Sequence, residues 1–481
     1  MNVLFTHAYY LSDDPREQKI QRPYPPLGLL YLSAWLERHG VENEVFDSTF
    51  SSEAAQRQYL LTHRPDVLAI YTNLMTKPAV VELMAFVRAQ ESLRHCLIVL
   101  GGPDVTYSLE NYLDAGADVL VIGEGEQSML ELVTARQRGE TGFSQIPGLA
   151  FRSPSGELVR TPARTHLKEV DELPLPARHK TDLHQYLNHW KKYHGSSSLT
   201  VSTQRGCPYT CRWCSTAVYG QTYRRRSPAL VAEELQFLQK TYQPDHIWMV
   251  DDVFTVSHKW LAAFRDEVKS RGIHQPFECI TRAERLNEEV VAILRESGCF
   301  RVWIGAESGS QRILDAMDRR VEAQRVEAMI VEAKRQGIET GTFIMLGYPG
   351  ETESDIQLTL DYLKRANPDL FTITIAYPIK GTGLYEDVKS TLVSVPDWNT
   401  HTDRDLDFER TYPRPYYDFA VRWVVNAVHL HKKQLAGQGF SPAAWKLRAK
   451  VVLSRLGMRW YRGFRSQQPD YALAGTISPA T

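Results

Sequence analysis

The sequence predicts an α/β protein in which two series of alternating strands and helices are followed by a helical C-terminal segment. Short unbroken apolar runs alternate with amphipathic stretches as far as about residue 390, the pattern of parallel sheets that are covered by helices. At 481 residues the chain exceeds what one hydrophobic core supports, which favours two or three domains. The segment "RGCPYTCRWCSTAVYG" also brings three of the six cysteines close together.

Composition and charge exclude several classes of protein. The chain is 43% hydrophobic and 23% charged, as globular proteins are, and its 56 Lys and Arg nearly balance 57 Asp and Glu, so no overall field favours nucleic acid. The start "MNVLFTHAYYLSDD" lacks the features of a signal peptide, and no apolar run approaches the roughly 20 residues of a membrane span. We therefore expect a cytoplasmic protein with reduced thiols, in which clustered cysteines bind metal more often than they pair.

Residues 1–140 are expected to form an open, doubly wound, Rossmann-like domain. The strand candidates are "NVLFTHA", "ENEVFDS", "PDVLAIYT", "CLIVLGGP" and "ADVLVIGEGE". The clearest helix, "PPLGLLYLSAWLERHG", has Pro26 in its first turn and ends at Gly40. Ligands of such domains bind at the carboxyl ends of the strands, where "YTNLMT", "GGPDVTYS" and "GEGEQS" fall.

Residues 141–195 are expected to be a linker, with "IPGLAFRSPSGELV" as a short hairpin. Residues 196–390 are expected to form a partial (β/α) barrel, because six strand candidates alternate with helices. These strands are "SLTVSTQ", "HIWMVDD", "PFECITRA", "RVWIGAES", "ETGTFIMLG" and "LFTITIAYP". Residues 391–481, where the alternation stops, are expected to be a helical, basic C-terminal segment.

Cys207, Cys211 and Cys214 are too close for ordinary disulfide bracing and are one ligand short of a closed zinc site. Three thiolates from one loop can instead hold three corners of a cubane iron–sulfur cluster and leave the fourth iron open to a small molecule. The loop follows the first strand of the expected barrel, so the cluster would face its mouth. The alternative is a zinc knuckle, for which the nearest histidines, His194 and His246, are poorly spaced.

The same cysteines, with Trp213 before the third, match the pattern CxxxCxΦC, and the chain resembles the radical S-adenosylmethionine superfamily. Segments at successive strand ends, "MVDDVFT", "TRAERL", "GAESGS" and "FIMLGYPGET", are similar to those of its cobalamin-binding branch. The first domain agrees through "YPPLGLLYLSAWLERHG", "VLGGPDVT" and "VIGEGE". The resemblance covers roughly residues 1–390 and leaves the C-terminal segment unexplained.

The resemblance implies the residues of the catalytic centre. Cys207, Cys211 and Cys214 would be the catalytic ligands of a [4Fe–4S] cluster, whose open iron chelates S-adenosylmethionine. The residues expected to bind S-adenosylmethionine are Asp251 and Asp252 for the methionine ammonium, Arg282 for its carboxylate, Glu307 and Ser308 for the ribose, and Gly347 for the adenine. Three of these groups have a structural alternative: the aspartates can cap a helix, Arg282 can belong to an ion pair, and Gly347 can make a turn.

The resemblance also implies a cobalamin site in the first domain. The residues expected to line the groove for its nucleotide tail are Thr72, Asn73, Gly101, Gly102, Pro103, Glu124, Gly125 and Glu126. No DxHxxG sequence is present, so cobalamin would bind without a histidine on the lower face of its cobalt. The alternative is a domain that keeps the fold without the corrin, and "GEGE" gives little support to a dinucleotide because it is not GxGxxG.

The function implied is methylation of an unactivated carbon in a small-molecule or lipid-like substrate. A 5′-deoxyadenosyl radical would remove a hydrogen atom, the methyl group would come through cobalamin, and an electron donor such as flavodoxin or ferredoxin would reduce the cluster. Radical ring formation or rearrangement without methyl transfer is the alternative within the same architecture. A metal-binding sensor or scaffold is the alternative from another class, and nothing in the sequence identifies the substrate.

The C-terminal segment contains a basic amphipathic stretch, residues 445–465, with seven Lys or Arg and no Asp or Glu. Helical spacing places one apolar stripe on it, formed by Trp445, Ala449, Val452, Leu453, Leu456, Trp460 and Phe464. The stripe predicts either a helix docked on the barrel or a peripheral contact with the inner face of the membrane, where the cations meet anionic lipid. Gly457 and Gly463 weaken the helix.

Overall fold

The computed structural model describes residues 1–140, 142–394 and 396–463, and the order of its elements confirms the expected α/β class. One mainly parallel sheet lies in the N-terminal part and a second, fully parallel sheet follows it. Two long helices complete the described chain.

The first sheet has seven strands in the order β2-β1-β3-β4-β5-β6-β7. They are β1 (Val3–His7), β2 (Glu44–Phe46), β3 (Val67–Tyr71), β4 (Leu97–Gly101), β5 (Val119–Val121), β6 (Leu149–Arg152) and β7 (Leu158–Arg160). Strands β1 to β5 pair in parallel, whereas β6 and β7 form the expected hairpin and pair in the antiparallel direction. This part of the predicted linker therefore extends the sheet of the first domain.

Helices cover both faces of the first sheet. They are α1 (Glu17–Ile20), α2 (Leu27–Arg38), α3 (Glu53–His63), α4 (Lys77–Ala89), α5 (Leu109–Asp114) and α6 (Glu126–Gln137), and α7 (Leu183–His194) leads to the second sheet. Alternate strand residues enter two separate cores, with Phe5 and Val67 on one face and Leu4 and Leu68 on the other. Because both faces are buried, these strands are unbroken apolar runs, which is the pattern that predicted them.

The second sheet is a partial barrel with the strand order β15-β14-β13-β12-β11-β8. The strands of this part are β8 (Ser198–Val201), β9 (Gln204–Arg205), β10 (Arg224–Arg225), β11 (His246–Met249), β12 (Phe277–Arg282), β13 (Cys299–Glu307), β14 (Glu339–Leu346) and β15 (Leu370–Ile375). The helices are α8 (Pro228–Thr241), α9 (His258–Ser270), α10 (Glu288–Glu296), α11 (Gln311–Ala316), α12 (Ala323–Arg335), α13 (Glu353–Ala366) and α14 (Gly383–Val388). All six strand candidates are thereby confirmed.

The C-terminal segment begins with a short strand pair, β16 (Leu392–Ser394) and β17 (Asp407–Phe408), and continues as α15 (Arg414–Leu435) and α16 (Pro442–Tyr461). Helix α15 contributes side chains such as Trp423 to the core of the barrel, and α16 packs along α15. None of the described helices combines the length and the apolar character that crossing a bilayer requires. The domain boundaries at residues 140, 195 and 390 stay predictions.

Candidate active site

A cavity of about 440 Å³ lies between the first domain and the barrel. Leu27, Gly28 and Pro103 of the first domain form part of its wall. Cys207 and Asp252, which follow strands of the second part of the chain, form another part. The cavity therefore adjoins both the cysteine loop and the edge of the first sheet where a ligand was expected.

The cysteine loop, residues 206–223, is closed at its base by the pairing of β9 with β10. Gly206 has a φ of 83°, and a Cβ at this position would collide with Thr222 on the other side of the loop. Only glycine fits there, so Gly206 determines how the chain enters Cys207. This glycine was not predicted as a site residue, although its place directly before the first cysteine is a signal for it.

The three free thiols have the donor chemistry that a [4Fe–4S] cluster requires. Cys207 and Cys211 are half-buried, and Cys214 is accessible to solvent although protein surrounds it. Burial raises the pKa of Cys207, and burial together with the charge of Asp252 raises the pKa of Cys214 to about 12, so both favour the protonated thiol. A metal cation reverses this preference, because thiols lose their protons when they bind metal. Within the described ranges no three Cys, His, Asp or Glu side chains converge on a single metal position. The cysteines of a cubane bind separate irons and do not need to converge.

Asp251 and Asp252 both follow β11 but have different surroundings. Asp251 is buried and accepts hydrogen bonds from the backbone amides of Thr203 (2.8 Å) and Gln204 (3.1 Å). It also lies 3.7 Å from the guanidinium of Arg225. Asp252 lines the cavity and has no hydrogen-bond or ion-pair partner in the part of the chain that the structure describes. Asp251 therefore holds the strand-end loop, whereas Asp252 is available to a cation.

Arg282, at the end of β12, lies against the cysteine loop. Its Nη1 donates a hydrogen bond to Cys211 Sγ at 3.0 Å, and its guanidinium stacks 4.0 Å from the centre of the Tyr209 ring. Arg282 also pairs with Glu284, which Arg319 contacts at 3.2 Å. Its cation thus lies beside a predicted cluster ligand. Its contact with the methionine carboxylate stays a prediction.

Glu307 and Ser308, at the end of β13, have different environments. Glu307 has a φ of 64°, an uncommon conformation for a residue with a Cβ. Burial raises the pKa of its carboxyl to about 7, against the opposing charges of Arg319 and Arg282. Ser308 is buried, and its hydroxyl lies 3.3 Å from Thr359 Oγ1. The ribose contacts of Glu307 and Ser308 stay predictions.

Gly347, which was expected beside the adenine, makes a tight turn after β14. It has a φ of 77°, and its amide donates to the carboxylate of Glu351, whose pKa burial raises to about 8. A Cβ on Gly347 would lie 3.3 Å from both Arg410 and Ile375. The turn is observed, and the contact with adenine stays a prediction.

A second cavity, of about 450 Å³, lies at the carboxyl edge of the first sheet. Its lining includes six of the residues expected for cobalamin, namely Gly101, Gly102, Pro103, Glu124, Gly125 and Glu126, and no histidine among the described residues. Gly102 has a φ of 115°, and a Cβ there would collide with the carbonyl oxygen of Thr72. The two cavities share Leu27, Gly28 and Arg205 in their walls and so adjoin each other.

The other two expected residues, Thr72 and Asn73, form the loop behind this wall. Thr72 is buried, and its hydroxyl lies 3.3 Å from that of Tyr112. The side-chain oxygen of Asn73 accepts hydrogen bonds from the backbone amides of Met75 (2.8 Å) and Thr76 (3.1 Å). Both residues therefore shape the cavity without lining it.

Glu124 and Glu126 bind arginines at the base of the cysteine loop. Arg205 Nη1 lies 3.1 Å from Glu124 Oε1, and the other end of the guanidinium pairs with Glu126. Arg224 Nη1 lies 2.8 Å from Glu124. These ion pairs join the first domain to the loop that carries the cysteines, over sequence separations of 79 to 100 residues. Sequence motifs gave no sign of this network.

Comparisons with known proteins agree with this arrangement. Residues 201–363 match the Radical SAM superfamily, and residues 18–133 match the B12 binding domain. An uncharacterized methyltransferase of Pyrococcus horikoshii is 30% identical over 405 residues, which cover 81% of this chain and 85% of that protein. An anaerobic magnesium-protoporphyrin IX monomethyl ester cyclase of Rubrivivax gelatinosus is 25% identical over 402 residues, covering 81% of this chain and 70% of that protein.

A solved structure has a similar fold over most of this chain. The cobalamin-dependent S-adenosylmethionine radical enzyme OxsB, with aqua-cobalamin bound, matches with a TM-score of 0.73 at 15% identity, over 95% of this chain and 72% of that one. A three-cysteine loop at the mouth of a partial barrel defines a radical S-adenosylmethionine enzyme. Within that superfamily the chain belongs to the cobalamin-binding branch. Its cofactors are a [4Fe–4S] cluster, S-adenosylmethionine and cobalamin.

Proposed function

We propose that this enzyme methylates an unactivated carbon of a small-molecule or lipid-like substrate. The observation that carries the proposal is the cavity of about 440 Å³, whose wall combines Gly28 and Pro103 of the first domain with Cys207 and Asp252. Methyl transfer of this kind requires cobalamin, S-adenosylmethionine and substrate to meet in one place, and this cavity adjoins both binding regions. The relative named as a methyltransferase supports the same function.

The side chains around the cavity have separable roles. When bound, the cofactors supply a carbon-centred radical and a transferable methyl group. Cys207, Cys211 and Cys214 would hold the cluster, and Asp252 would receive the methionine ammonium of S-adenosylmethionine, because its carboxylate lies at the wall. The pKa of Asp252 is raised by burial and by Asp251, so a cationic partner would keep Asp252 ionised.

The remaining wall limits the access of water. Apolar side chains line much of the cavity, among them Leu27, Val170, Leu173, Val218 and Val250. Such a lining keeps water from reactive groups and strengthens the electrostatic contacts made inside. We include in the proposal a small one-electron carrier, such as flavodoxin or ferredoxin, as the donor to the cluster.

The test is anaerobic reconstitution with iron, sulfide, hydroxocobalamin, reductant and S-adenosylmethionine, in the presence of cell extract as a source of substrate. We expect 5′-deoxyadenosine, S-adenosylhomocysteine and a product heavier by one methylene unit. Replacing Cys207, Cys211 or Cys214 by Ala should abolish formation of 5′-deoxyadenosine and lower the iron content. Cys96→Ala is the matched control, since this buried cysteine lies in the first domain and should leave both measurements unchanged.

Two outcomes would change the assignment. If all three cysteine variants still cleaved S-adenosylmethionine reductively, the cluster site would be wrong. If 5′-deoxyadenosine formed together with a product but without S-adenosylhomocysteine, the enzyme would be a radical cyclase or rearrangement enzyme. The relative named as a cyclase favours that second candidate.

The lower face of cobalt gives a separate test of the first domain. No histidine lines the cavity of about 450 Å³ within the described residues. We therefore expect bound cobalamin to lack a protein nitrogen ligand. Electron paramagnetic resonance of the Co(II) form is the measurement, and nitrogen superhyperfine splitting from a protein histidine would contradict this part of the proposal.

A further inference from the structure

Helix α16 packs on α15 through small residues and leaves its apolar stripe outside. Ala444, Ser454 and Met458 are the buried side chains of the helix. At Gly457 a Cβ would lie 2.5 Å from the ring of Phe419 on α15, so glycine permits the close approach of the two helices. The glycine that weakens the helix in isolation therefore has a packing role.

The stripe expected from the sequence points away from this contact. Residues of α16 advance by 100° each, and the stripe lies on the side opposite to Ser454 and Met458. Its large side chains are exposed, with fractions of 59% for Trp445, 57% for Val452, 63% for Leu453, 58% for Leu456 and 70% for Trp460. Phe440 in the preceding turn is 85% exposed. The last member of the expected stripe, Phe464, lies outside the described residues.

Cations border this apolar face on both sides. Lys446 and Lys450 lie along one edge of the stripe, and Arg455 and Arg459 lie along the other, by helical position. Residues 445–460 contain five Lys or Arg and no Asp or Glu, although the chain as a whole has a net charge of −1. Positive charge is thus concentrated around one exposed apolar surface, here called the α16 outer face (residues 445–460).

We propose that the α16 outer face binds an anionic lipid bilayer, with the helix lying in the plane of the membrane surface. An apolar centre with cationic edges is the arrangement that buries apolar side chains at the acyl boundary and places the charges among headgroups. A second copy of this chain is a less suitable occupant, because two such faces would bring like charges together. Scattered exposed leucines need no partner, but a contiguous apolar patch of this kind does.

The position of the face relates it to the active site. Arg462 follows the last turn of α16 and lies 3.4 Å from Glu353 at the start of α13. Helix α13 follows the strand-end turn at Gly347, on the edge of the barrel where the other strand ends carry the predicted site. The C-terminal end of α16 therefore lies near that edge. Binding of the α16 outer face to a membrane does not depend on the proposed function. The further step, that a lipid-like substrate enters from the membrane, rests on the proposed function.

The test is co-sedimentation of the full chain with vesicles, measured without cofactors so that it is independent of catalysis. Vesicles of phosphatidylcholine with phosphatidylglycerol are compared with vesicles of phosphatidylcholine alone. We expect binding to the anionic vesicles at low salt and release at high salt, since the Debye length falls from about 10 Å at 0.1 M to about 3 Å at 1 M. Equal binding to both vesicle types would contradict the electrostatic part of the proposal.

Two variants separate the contributions of the face. Leu453→Ser with Leu456→Ser should weaken vesicle binding at least about tenfold, because two largely exposed leucines no longer insert. Lys446→Gln with Lys450→Gln should weaken it about thirtyfold at low salt, since each cation near an anionic surface contributes about 1 kcal/mol. All four side chains are exposed, so the thermal unfolding of both variants should match that of the parent.

The matched control is Val331→Ser with Leu358→Ser. These apolar residues, on α12 and α13, are each 50% exposed and lie outside the α16 outer face, so their replacement should leave binding unchanged. Undiminished binding of the Leu453 and Leu456 variant would overturn the proposal. The proposal would also be overturned if a chain that ends at residue 463 bound the vesicles and the full chain did not. That result would show that residues 464–481 cover the face. Absence of vesicle binding together with a dimer that the leucine substitutions dissociate would instead identify a second copy as the occupant.

Discussion

Replacing Arg205 by Met tests whether buried ion pairs hold the first domain against the cysteine loop. The exposed side-chain fractions are 7% for Arg205, 6% for Glu124 and 10% for Glu126. Burial works against the charge of Arg205, but its two glutamate partners keep its pKa above the ordinary value. Methionine keeps the apolar stem of the side chain but is shorter, and it removes the cation, its hydrogen bonds and its contacts with the rings of Tyr31 and Tyr219.

The expected loss of stability depends on which carboxylate keeps another arginine when the guanidinium of Arg205 is removed. Glu124 keeps Arg224 at 2.8 Å, whereas Glu126 loses the arginine that it contacts. Removing one partner of a buried pair destabilises by about 3–5 kcal/mol, and we expect about 3 kcal/mol because only one carboxylate is orphaned. Urea denaturation at neutral pH measures the change. Glu126→Gln in the Arg205→Met background should restore part of the loss, because the orphaned charge disappears.

The control is Arg152→Met, which removes an ion pair of similar length at the surface. Arg152 lies 2.6 Å from Asp114, with exposed side-chain fractions of 35% and 65%. Pairs of this kind contribute about 0–1 kcal/mol. If Arg205→Met were no more destabilising than Arg152→Met, or if Glu126→Gln deepened the loss, the argument from an orphaned buried charge would be refuted.

Three further predictions follow from single side chains. Asp252→Asn should weaken binding of S-adenosylmethionine about tenfold, measured by equilibrium dialysis of the reconstituted enzyme, and should leave thermal unfolding unchanged. Asp251→Asn should instead lower the free energy of unfolding by about 1–3 kcal/mol, because a buried acceptor of backbone amides is lost. Gly102→Ala should abolish retention of hydroxocobalamin on gel filtration, because the new Cβ would meet the carbonyl oxygen of Thr72. Gly28→Ala should leave the fold intact, because no heavy atom lies within 4 Å of the new Cβ. Asp47, which follows β2, accepts hydrogen bonds from the hydroxyls of Thr181 and Tyr186 and lies 3.1 Å from His7 Nε2. Burial alone would raise the pKa of Asp47, but these contacts hold that pKa well below the ordinary value. Its contribution to stability is therefore present at neutral pH and lost as pH falls below about 4, so the difference in urea midpoint between the parent and Asp47→Asn should narrow on acidification.

The strands, and the position of the three cysteines in one loop, were predictable because local sequence decides them. Strands buried on both faces are runs of Val, Ile and Leu, and all of the expected strands of both sheets are present. The three cysteines lie in one loop, so their spacing alone brings them together. Neither inference depends on contacts between distant parts of the chain.

The division of roles between neighbouring residues was not predictable. Asp251 and Asp252 are adjacent and chemically equal, and only the amides of Thr203 and Gln204, about 48 positions away, distinguish the structural one from the available one. The side of helix α16 that packs on α15 was also not predictable from the sequence. The expected apolar stripe is present as far as Trp460, but the side that packs on α15 is decided by small residues such as Gly457, which allows the two helices to approach closely.

Arg205 links the two cofactor regions through one side chain. It lines both cavities, stands two residues before Cys207 and binds Glu124 and Glu126. A shift of the first domain along this contact would leave a buried carboxylate without its cation, at a cost of several kcal/mol. A bidentate guanidinium accepts few geometries, so these pairs favour one position of the first domain over the cysteine loop. The distance between a corrin in the first domain and a cluster on Cys207 would then be determined by the ion pairs as well as by the covalent linker.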